Sequence, residues 1–213
     1  MPLVILFGPD GAGKTTLAKT LIKELRKAGR NVIYIKMRSH HLIMYLVLRL
    51  LQKRKYIPKT HSPRVIDYGL RAIFRRSKAF LFLEFLNLML WNFLFVKLRL
   101  IGNNIIIADR FSPDSVVSLH IISGNLPTIY KKTLLSLCKG SIAIYVRAEP
   151  RILLSRRADE KLSENYLRYL LILYDSVTRE VALIARSTLI IDTTKSSEQL
   201  SARVALEFVK RYL

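Results

Sequence analysis

The chain has 213 residues, a length that suits one α/β domain (1–213) with a sizeable core. Its 51% hydrophobic content excludes a disordered protein. Its single cysteine, Cys138, excludes an internal disulfide framework, and we expect it to be a buried apolar residue. The formal net charge of +21 is unusually high. Because the first apolar run begins at residue 3, we expect no signal peptide and a cytoplasmic protein.

The first predicted elements are a strand, a glycine-rich turn and a helix. The apolar run Leu3–Phe7 predicts a buried strand, and leucines repeated every four residues predict a helix over 16–28 that stops at Gly29. Between them, residues 8–15 read Gly-Pro-Asp-Gly-Ala-Gly-Lys-Thr and match the P-loop pattern G-x-x-x-x-G-K-[ST]. The strand before the motif and the helix after it are the context that this phosphate-binding motif requires.

The P-loop predicts ATP and Mg²⁺ as ligands. Its backbone N–H groups and the positive end of the following helix bind phosphate oxygens. Lys14 would reach the β- and γ-phosphates, and the Thr15 hydroxyl would bind Mg²⁺. The predicted nucleotide-binding residues are Gly8, Asp10, Gly11, Ala12, Gly13, Lys14, Thr15 and Thr16.

A second strand is predicted over 32–35, and polar residues follow it. Among them, Arg38 would clamp the phosphate of an acceptor substrate. His40 and His41 are adjacent and project to different sides, so positions in a solvated loop or in the core are favoured over ligand roles.

Basic residues are concentrated between positions 49 and 78, where ten Lys and Arg face one acid, Asp67. Three interpretations stay open: a solvated basic surface, a contact with nucleic acid or an anionic membrane, and a site for a highly phosphorylated substrate. The apolar stretch 79–96 comes next and has nearly the length of a membrane span. Because Glu84, Asn87 and Asn92 interrupt it, we expect a buried core or dimer-interface helix, with a monotopic membrane contact as the alternative and no transmembrane span.

A third strand is predicted over 105–108, followed by Asp109, Arg110 and Phe111. Asp109 would hold a Mg²⁺ water or orient the attacking oxygen, and Arg110 would bridge donor and acceptor phosphates. The alternative is an Asp–Arg ion pair at the end of the strand.

Strands predicted over 142–146 and 189–191 complete the pattern. A charged segment at about 151–163, which contains Arg156 and Arg157, would form a lid that brings arginines to the transferring phosphoryl group. The alternative, which stays open, is an amphipathic helix with a solvated basic face. The alternation of strands and helices predicts an α/β doubly wound fold. We expect five parallel strands, helices on both faces and ligands at the carboxyl ends of the strands.

Together these motifs resemble the thymidylate kinase family of nucleoside monophosphate kinases. The resemblance rests on the P-loop at 10–15, the Asp-Arg-Phe motif at 109–111, the Val-x-x-x-Pro strand end with its arginine-bearing helix at 146–157, Tyr174, and the strand end at Asp192. It implies a P-loop NTPase fold, a homodimer, and ATP–Mg²⁺-dependent transfer of the γ-phosphoryl group to dTMP or a related nucleoside monophosphate.

The resemblance also implies a role for each matching residue. Lys14 and Thr15 would hold ATP–Mg²⁺, Arg156 or Arg157 would act from the lid, and residues 193–195 would border the adenine. Asp10, Asp109 and Arg110 would contact and align the acceptor, and Asp109 would also align the metal.

Two departures from the family leave the acceptor base open. The helix at 80–96 contains no Arg, where family members carry one that reads thymine, and the usual Arg-Glu-Pro reads Arg38-Ser-His. Two other functions therefore stay in play. One is a P-loop kinase for a non-nucleotide or membrane-proximal acceptor. The other is a non-catalytic nucleotide-binding or nucleic-acid-binding module.

Overall fold

The computed structural model describes residues 2–37, 53, 77–98, 104–160 and 162–213. Arg38, His40, His41 and nearly all of the basic 49–78 segment lie outside these residues. The strands are β1 Leu3–Phe7, β2 Val32–Lys36, β3 Ile105–Asp109, β4 Ile142–Arg147 and β5 Ser187–Asp192. The helices are α1 Lys14–Lys27, α2 Lys78–Leu98, α3 Ser112–Ser123, α4 Thr128–Ser136, α5 Pro150–Ser155, α6 Glu164–Ala182 and α7 Glu198–Tyr212.

The five strands form one parallel sheet in the order β2-β3-β1-β4-β5. This confirms the predicted fold class, and each strand lies where the sequence predicts it, with ends that differ by at most two residues. The register pairs Leu6 with Asp109 and Lys36 with Asp109, so the P-loop strand and its neighbours end at the same edge. The central position of β1 puts the P-loop at the middle of that edge.

The core lies around the central strands. Every residue of β1 and β3, and all but the last of β4, is buried, because helices cover both faces of a parallel sheet. The edge strands β2 and β5 are only partly buried. Cys138 is fully buried, as predicted, and burial raises the pKa of its thiol to about 12, so it packs as an apolar residue.

Helix α1 begins two residues earlier than its leucine repeat predicts. Gly13, with φ 94°, is its N-cap, so Lys14 and Thr15 belong to the first helical turn. Leu17, Leu21 and Leu25 face the core, as expected from their spacing. The early start places Lys14 and Thr15, the last two residues of the P-loop motif, on a helix rather than on a loop.

Helix α2 forms over the predicted apolar stretch, but only one side of it is buried. That side carries the three polar residues Glu84, Asn87 and Asn92, whereas Phe82 and Leu90 are exposed. One side of the described part of the helix is therefore buried against the core, as predicted, whereas the other side is exposed. None of the helices in the described ranges has the length and apolar character needed to cross a membrane.

Candidate functional site

The P-loop is a tight turn whose glycines the backbone requires. Gly8, Gly11 and Gly13 have φ values of 137°, 84° and 94°, which side chains other than glycine rarely adopt. A Cβ on Gly8 would lie 2.1 Å from the Val146 carbonyl oxygen, and one on Gly11 would lie 3.2 Å from the Arg157 side chain. The loop is therefore packed against the end of β4 and the residues after α5, which fixes its shape.

Lys14 projects from the first turn of α1 back over the loop. Its Nζ donates hydrogen bonds to the carbonyl oxygens of Gly8 at 2.6 Å and Pro9 at 2.7 Å, and the side chain is buried. Burial lowers the pKa of Lys14, and the nearby carboxylates of Asp114 and Asp109 oppose that shift. An anion bound at the loop would stabilise the charged ammonium further.

Thr15 and Asp109 meet at the predicted metal position. The Thr15 hydroxyl donates to Asp109 Oδ2 at 2.6 Å, and the Tyr34 hydroxyl donates to the same oxygen at 2.9 Å. Burial and then this hydrogen bond raise the pKa of Tyr34 to about 12, so the phenol stays a donor. The other carboxylate oxygen, Asp109 Oδ1, is buried and has no hydrogen-bond partner among the described residues.

This pair of oxygens fits Mg²⁺. The ion prefers hard oxygen ligands, keeps several waters, and binds through one or two protein groups plus substrate phosphates. The Thr15 hydroxyl and a carboxylate with a spare oxygen at Asp109 are such groups. In the part of the chain that the structure describes, no cluster of three or more His, Cys, Asp or Glu residues could hold a metal by itself.

Arg110 follows β3 and reaches the P-loop. Its φ of 73° is the only positive value of a non-glycine residue among the described residues, and its guanidinium pairs with Asp10 Oδ1. The sequence left open an ion pair between the neighbours Asp109 and Arg110, but the structure pairs Arg110 with the loop instead. The left-handed backbone costs about 1–2 kcal/mol for an L-residue, and strain of this kind is concentrated at functional sites.

Asp114, in the first turn of α3, supports the P-loop through a hydrogen bond from the Gly8 N–H. The sequence analysis did not identify this residue. Its Oδ1 accepts from the Gly8 N–H at 3.4 Å and from the Tyr174 hydroxyl at 2.9 Å, and its Oδ2 accepts from the Phe111 N–H at 3.3 Å. Burial raises the pKa of Asp114, and the charge of Lys14 partly opposes this. The available signal was the Ser-Pro-Asp start of a helix directly after the Asp-Arg-Phe motif.

Arg156, which directly follows α5, connects the predicted lid segment to both the P-loop and the end of β5. Its Nη1 donates to the Gly11 carbonyl oxygen at 3.1 Å and to Thr193 Oγ1 at 3.0 Å, and its Nη2 donates to the Thr193 carbonyl oxygen at 3.0 Å. The predicted alternative, Arg157, pairs with Glu160 and packs over Gly11. Of the two lid arginines, Arg156 lines the cavity at the P-loop.

That cavity has a volume of about 570 Å³, which suits a nucleotide-sized ligand. Four cationic side chains converge on it from four segments of the chain: Lys14, Lys36, Arg110 and Arg156. Its other lining residues are Asp10, Gly11, Ala12, Gly13, Thr15, Thr16, Leu17, Thr193, Ser196, Glu198 and Ser201.

The structure brings most predicted site residues to this cavity. Gly8 and Asp109 lie behind the lining, where they shape the loop and hold Thr15, and Arg38 lies outside the described residues. Sequence reasoning missed Lys36, which ends β2 beside Asp109, and the polar residues at the start of α7. No local motif marks these positions, because only the sheet order brings them to the P-loop.

A comparison with protein families found a match over the first part of the chain. The family model described as chromatin associated protein KTI12 matches residues 1–62. This segment contains the P-loop, α1 and β2 and ends before Asp109. No curated protein matches the chain.

A comparison with solved structures found the same fold elsewhere. The chain is similar to the YorR protein of Bacillus subtilis, whose crystal structure contains phosphorylated GDP. The similarity has a TM-score of 0.54 and 22% identity, and it covers 98% of this chain and 95% of that one. In all, 221 solved chains match, so the fold is widely shared and does not by itself select an activity.

Proposed function

We propose that this protein is an ATP–Mg²⁺-dependent phosphotransferase of the nucleoside monophosphate kinase type. The observation that carries the proposal is the convergence of Lys14, Lys36, Arg110 and Arg156 on one cavity beside the Thr15–Asp109 pair. Phosphoryl transfer requires little covalent work from a protein, and catalysis consists mainly of positioning and charge stabilisation. A P-loop surrounded by separately anchored cations supplies both.

The sheet order gives the cavity two sides. Lys36 and Arg110 come from β2 and β3, on one side of β1, whereas Arg156 and Thr193 come from segments after β4 and β5, on the other. We assign the acceptor phosphate to the β2–β3 side. The donor base then lies on the β4–β5 side, near Thr193 and the start of α7.

In the proposed reaction, an oxygen of the acceptor phosphate forms a bond to the γ-phosphorus of ATP. The bond from that phosphorus to the β,γ-bridging oxygen breaks, its electron pair stays on ADP, and the acceptor leaves as a diphosphate. Lys14, Arg110 and Arg156 stabilise the negative charge on the transferring group and hold the reactants in line. Thr15 and Asp109 would hold Mg²⁺, which supplies charge neutralisation at the phosphates.

Acceptor-dependent release of ADP tests the proposal. The full chain is incubated with ATP and Mg²⁺ and with dTMP, dUMP, UMP, CMP, AMP or GMP in turn. Stimulation by one of these nucleotides supports the proposal and identifies the base. If none stimulates although ATP binds, the nucleoside monophosphate assignment is wrong.

Two observations favour a second candidate, a nucleotide-binding module that contacts nucleic acid. The match to the chromatin-associated family covers only residues 1–62, and the net charge is +21. Such a module would bind ATP without acceptor-dependent ADP release. It would also bind DNA or RNA with an affinity that falls steeply as salt rises. The same ADP assay, run beside a salt series of nucleic-acid binding, separates the two candidates.

A further inference from the structure

Helix α2 has an inverted distribution of polar and apolar residues. Its polar residues Glu84, Asn87 and Asn92 are between 0% and 6% exposed. The exposed side is apolar and carries side chains that are 38–64% exposed and recur at helical spacing: Phe82, Leu83, Leu86, Leu90 and Leu94. A helix of a water-soluble protein normally shows the reverse arrangement.

The buried side of α2 is firmly anchored, so the helix cannot simply be rotated. Phe85 stacks on Tyr130 of α4 with ring centroids 4.3 Å apart. Asn92 donates to the Leu88 carbonyl oxygen at 2.6 Å and to Ser115 Oγ of α3 at 3.4 Å. These contacts turn Leu83, Leu86, Leu90 and Leu94 away from α3 and α4, whereas Phe82, at the edge of the apolar side, also lies 6.3 Å from the Tyr130 ring. An exposed apolar surface of this kind marks an interaction site.

We propose that this apolar face of α2 docks the protein onto the surface of an anionic lipid bilayer. The leucine and phenylalanine side chains would enter the boundary between headgroups and acyl chains, with the helix lying in the plane of the membrane. The helix does not meet the criteria for a span. The inference concerns a surface outside the P-loop cavity and does not rest on the proposed function.

Charge complementarity selects this occupant. Ten basic residues and one acid occupy positions 49–78, directly before the helix, and Lys97 and Arg99 stand at its other end in the sequence. Basic residues beside an apolar helix face add attraction to anionic headgroups, about 1 kcal/mol for each residue near the surface. The apolar face of α2 and the basic residues that flank the helix in the sequence therefore favour the same kind of surface.

Two other occupants fit the observations less well. A second copy of the chain would cover the apolar face, but it would bring together two molecules that each carry a charge of +21. A nucleic acid would be attracted by the charge, but it would leave Leu90 and its apolar neighbours in water. An anionic bilayer is complementary to both features.

Flotation of the full chain with lipid vesicles tests the proposal. Vesicles of phosphatidylcholine mixed with phosphatidylserine are expected to carry the protein to the top of the gradient, whereas pure phosphatidylcholine vesicles carry much less. Protein that stays at the bottom with both vesicle types would overturn the proposal. Nucleotide is omitted, so the result does not depend on catalysis.

A pair of matched variants isolates the role of α2. Leu90→Glu places a charge on the apolar face, and Ile172→Glu places the same charge on α6, where the side chain is 65% exposed against 64% for Leu90. We expect L90E to bind anionic vesicles about tenfold or more weakly and I172E to bind as the unchanged chain does. Equal binding of all three would show that charge alone holds the protein, and it would overturn the role of α2. If L90E does not fold, Leu94→Gln on the same face replaces it.

The single tryptophan, Trp91, lies on α2, where it is half-buried against the core, and its fluorescence reports the approach of lipid to this helix. Brominated acyl chains in the anionic vesicles are expected to quench the fluorescence of Trp91. Soluble single-stranded DNA is not expected to quench it. The mass of the protein is measured in solution in parallel. A stable dimer that L90E dissociates, together with no quenching by brominated lipid, would assign the face to a second copy and contradict the proposal.

Discussion

Thr15 and Asp109 are 94 residues apart in the chain, yet the threonine hydroxyl donates a hydrogen bond of 2.6 Å to the carboxylate. The contact exists because β1 and β3 are neighbouring parallel strands that end at the same edge of the sheet. It leaves Asp109 Oδ1 buried without a hydrogen-bond partner among the described residues. The proposed metal site depends on this relationship.

Asp109→Asn should weaken the binding of Mg²⁺ that the proposed reaction requires. The amide keeps the size of the side chain and can still accept from Thr15, but it removes the negative charge. We expect the Mg²⁺ concentration for half-maximal ADP release to rise about tenfold or more. Tyr34→Phe removes only the second hydrogen bond to Asp109 and should have a smaller effect. An unchanged Mg²⁺ dependence in D109N would remove Asp109 from the metal site.

Lys14→Ala should abolish turnover while the fold persists. The ammonium is held at the loop by hydrogen bonds to the Gly8 and Pro9 carbonyl oxygens, and its loss leaves the γ-phosphoryl group without that stabilisation. We expect the rate to fall about 1,000-fold, measured by ADP release, with circular dichroism checking the fold. Lys19→Ala changes an exposed lysine of the same helix and serves as the control. Comparable rates in K14A and K19A would rule out the proposed role.

Arg156→Ala should lower kcat by about 100-fold or more, because the lid guanidinium is held at the cavity by Gly11 and Thr193. Arg156→Lys should recover little, since an ammonium cannot make the same forked contacts. The control is Arg151→Ala, an 82% exposed arginine of α5. A drop in kcat for R151A as large as that for R156A would show that the lid needs positive charge in general.

Gly8→Ala should destabilise the protein by about 3 kcal/mol or more, because the new Cβ would lie 2.1 Å from a backbone carbonyl. Gly29→Ala is the matched control. Its φ of 73° is also positive, but nothing lies within 4 Å of the new Cβ, so only backbone strain of about 1 kcal/mol is expected. Urea denaturation measures both variants. Equal losses would mean that the P-loop relaxes away from β4.

The buried carboxyl of Asp114 should make stability depend on pH. Burial raises its pKa in the folded state, so its favourable contribution is complete below the unfolded pKa of about 3.9 and is lost as pH rises through the folded pKa. Asp114→Asn cannot ionise. The free energy of unfolding of D114N minus that of the unchanged chain should therefore increase as pH rises from 4 to 7. A difference that is constant over this range would contradict the assignment.

Local patterns were sufficient to predict the sheet and the phosphate side of the site. The buried strands are continuous apolar runs. The pattern of glycines, lysine and threonine from Gly8 to Thr15 is specific to a phosphate-binding turn. Arg110 and Arg156 were predicted because parallel strands place their following residues at one edge. Asp10 and Thr193 were predicted as site residues, but their pairing with Arg110 and Arg156 was not, since an ion pair or a hydrogen bond across the edge depends on side-chain conformations.

Other features depend on packing and leave no local pattern. Lys36 reaches the cavity only because β2 pairs with β3, and Asp114 supports Gly8 only because α3 starts beneath the loop. The inverted polarity of α2 could not be predicted for the same reason. In an almost wholly apolar helix, the sequence pattern does not indicate which side packs against the core. The buried hydrogen bond from Asn92 to Ser115 helps to determine the buried side instead.

The proposed function requires that the cavity at the P-loop transfers a phosphoryl group. The most direct test incubates the protein with ATP labelled at the γ-phosphoryl group, Mg²⁺ and each nucleoside monophosphate, and looks for label in the nucleoside diphosphate. We predict labelled diphosphate from at least one acceptor with the unchanged chain and none with K14A. Binding of ATP without transfer of label to any acceptor would contradict the account and favour a nucleotide-binding module.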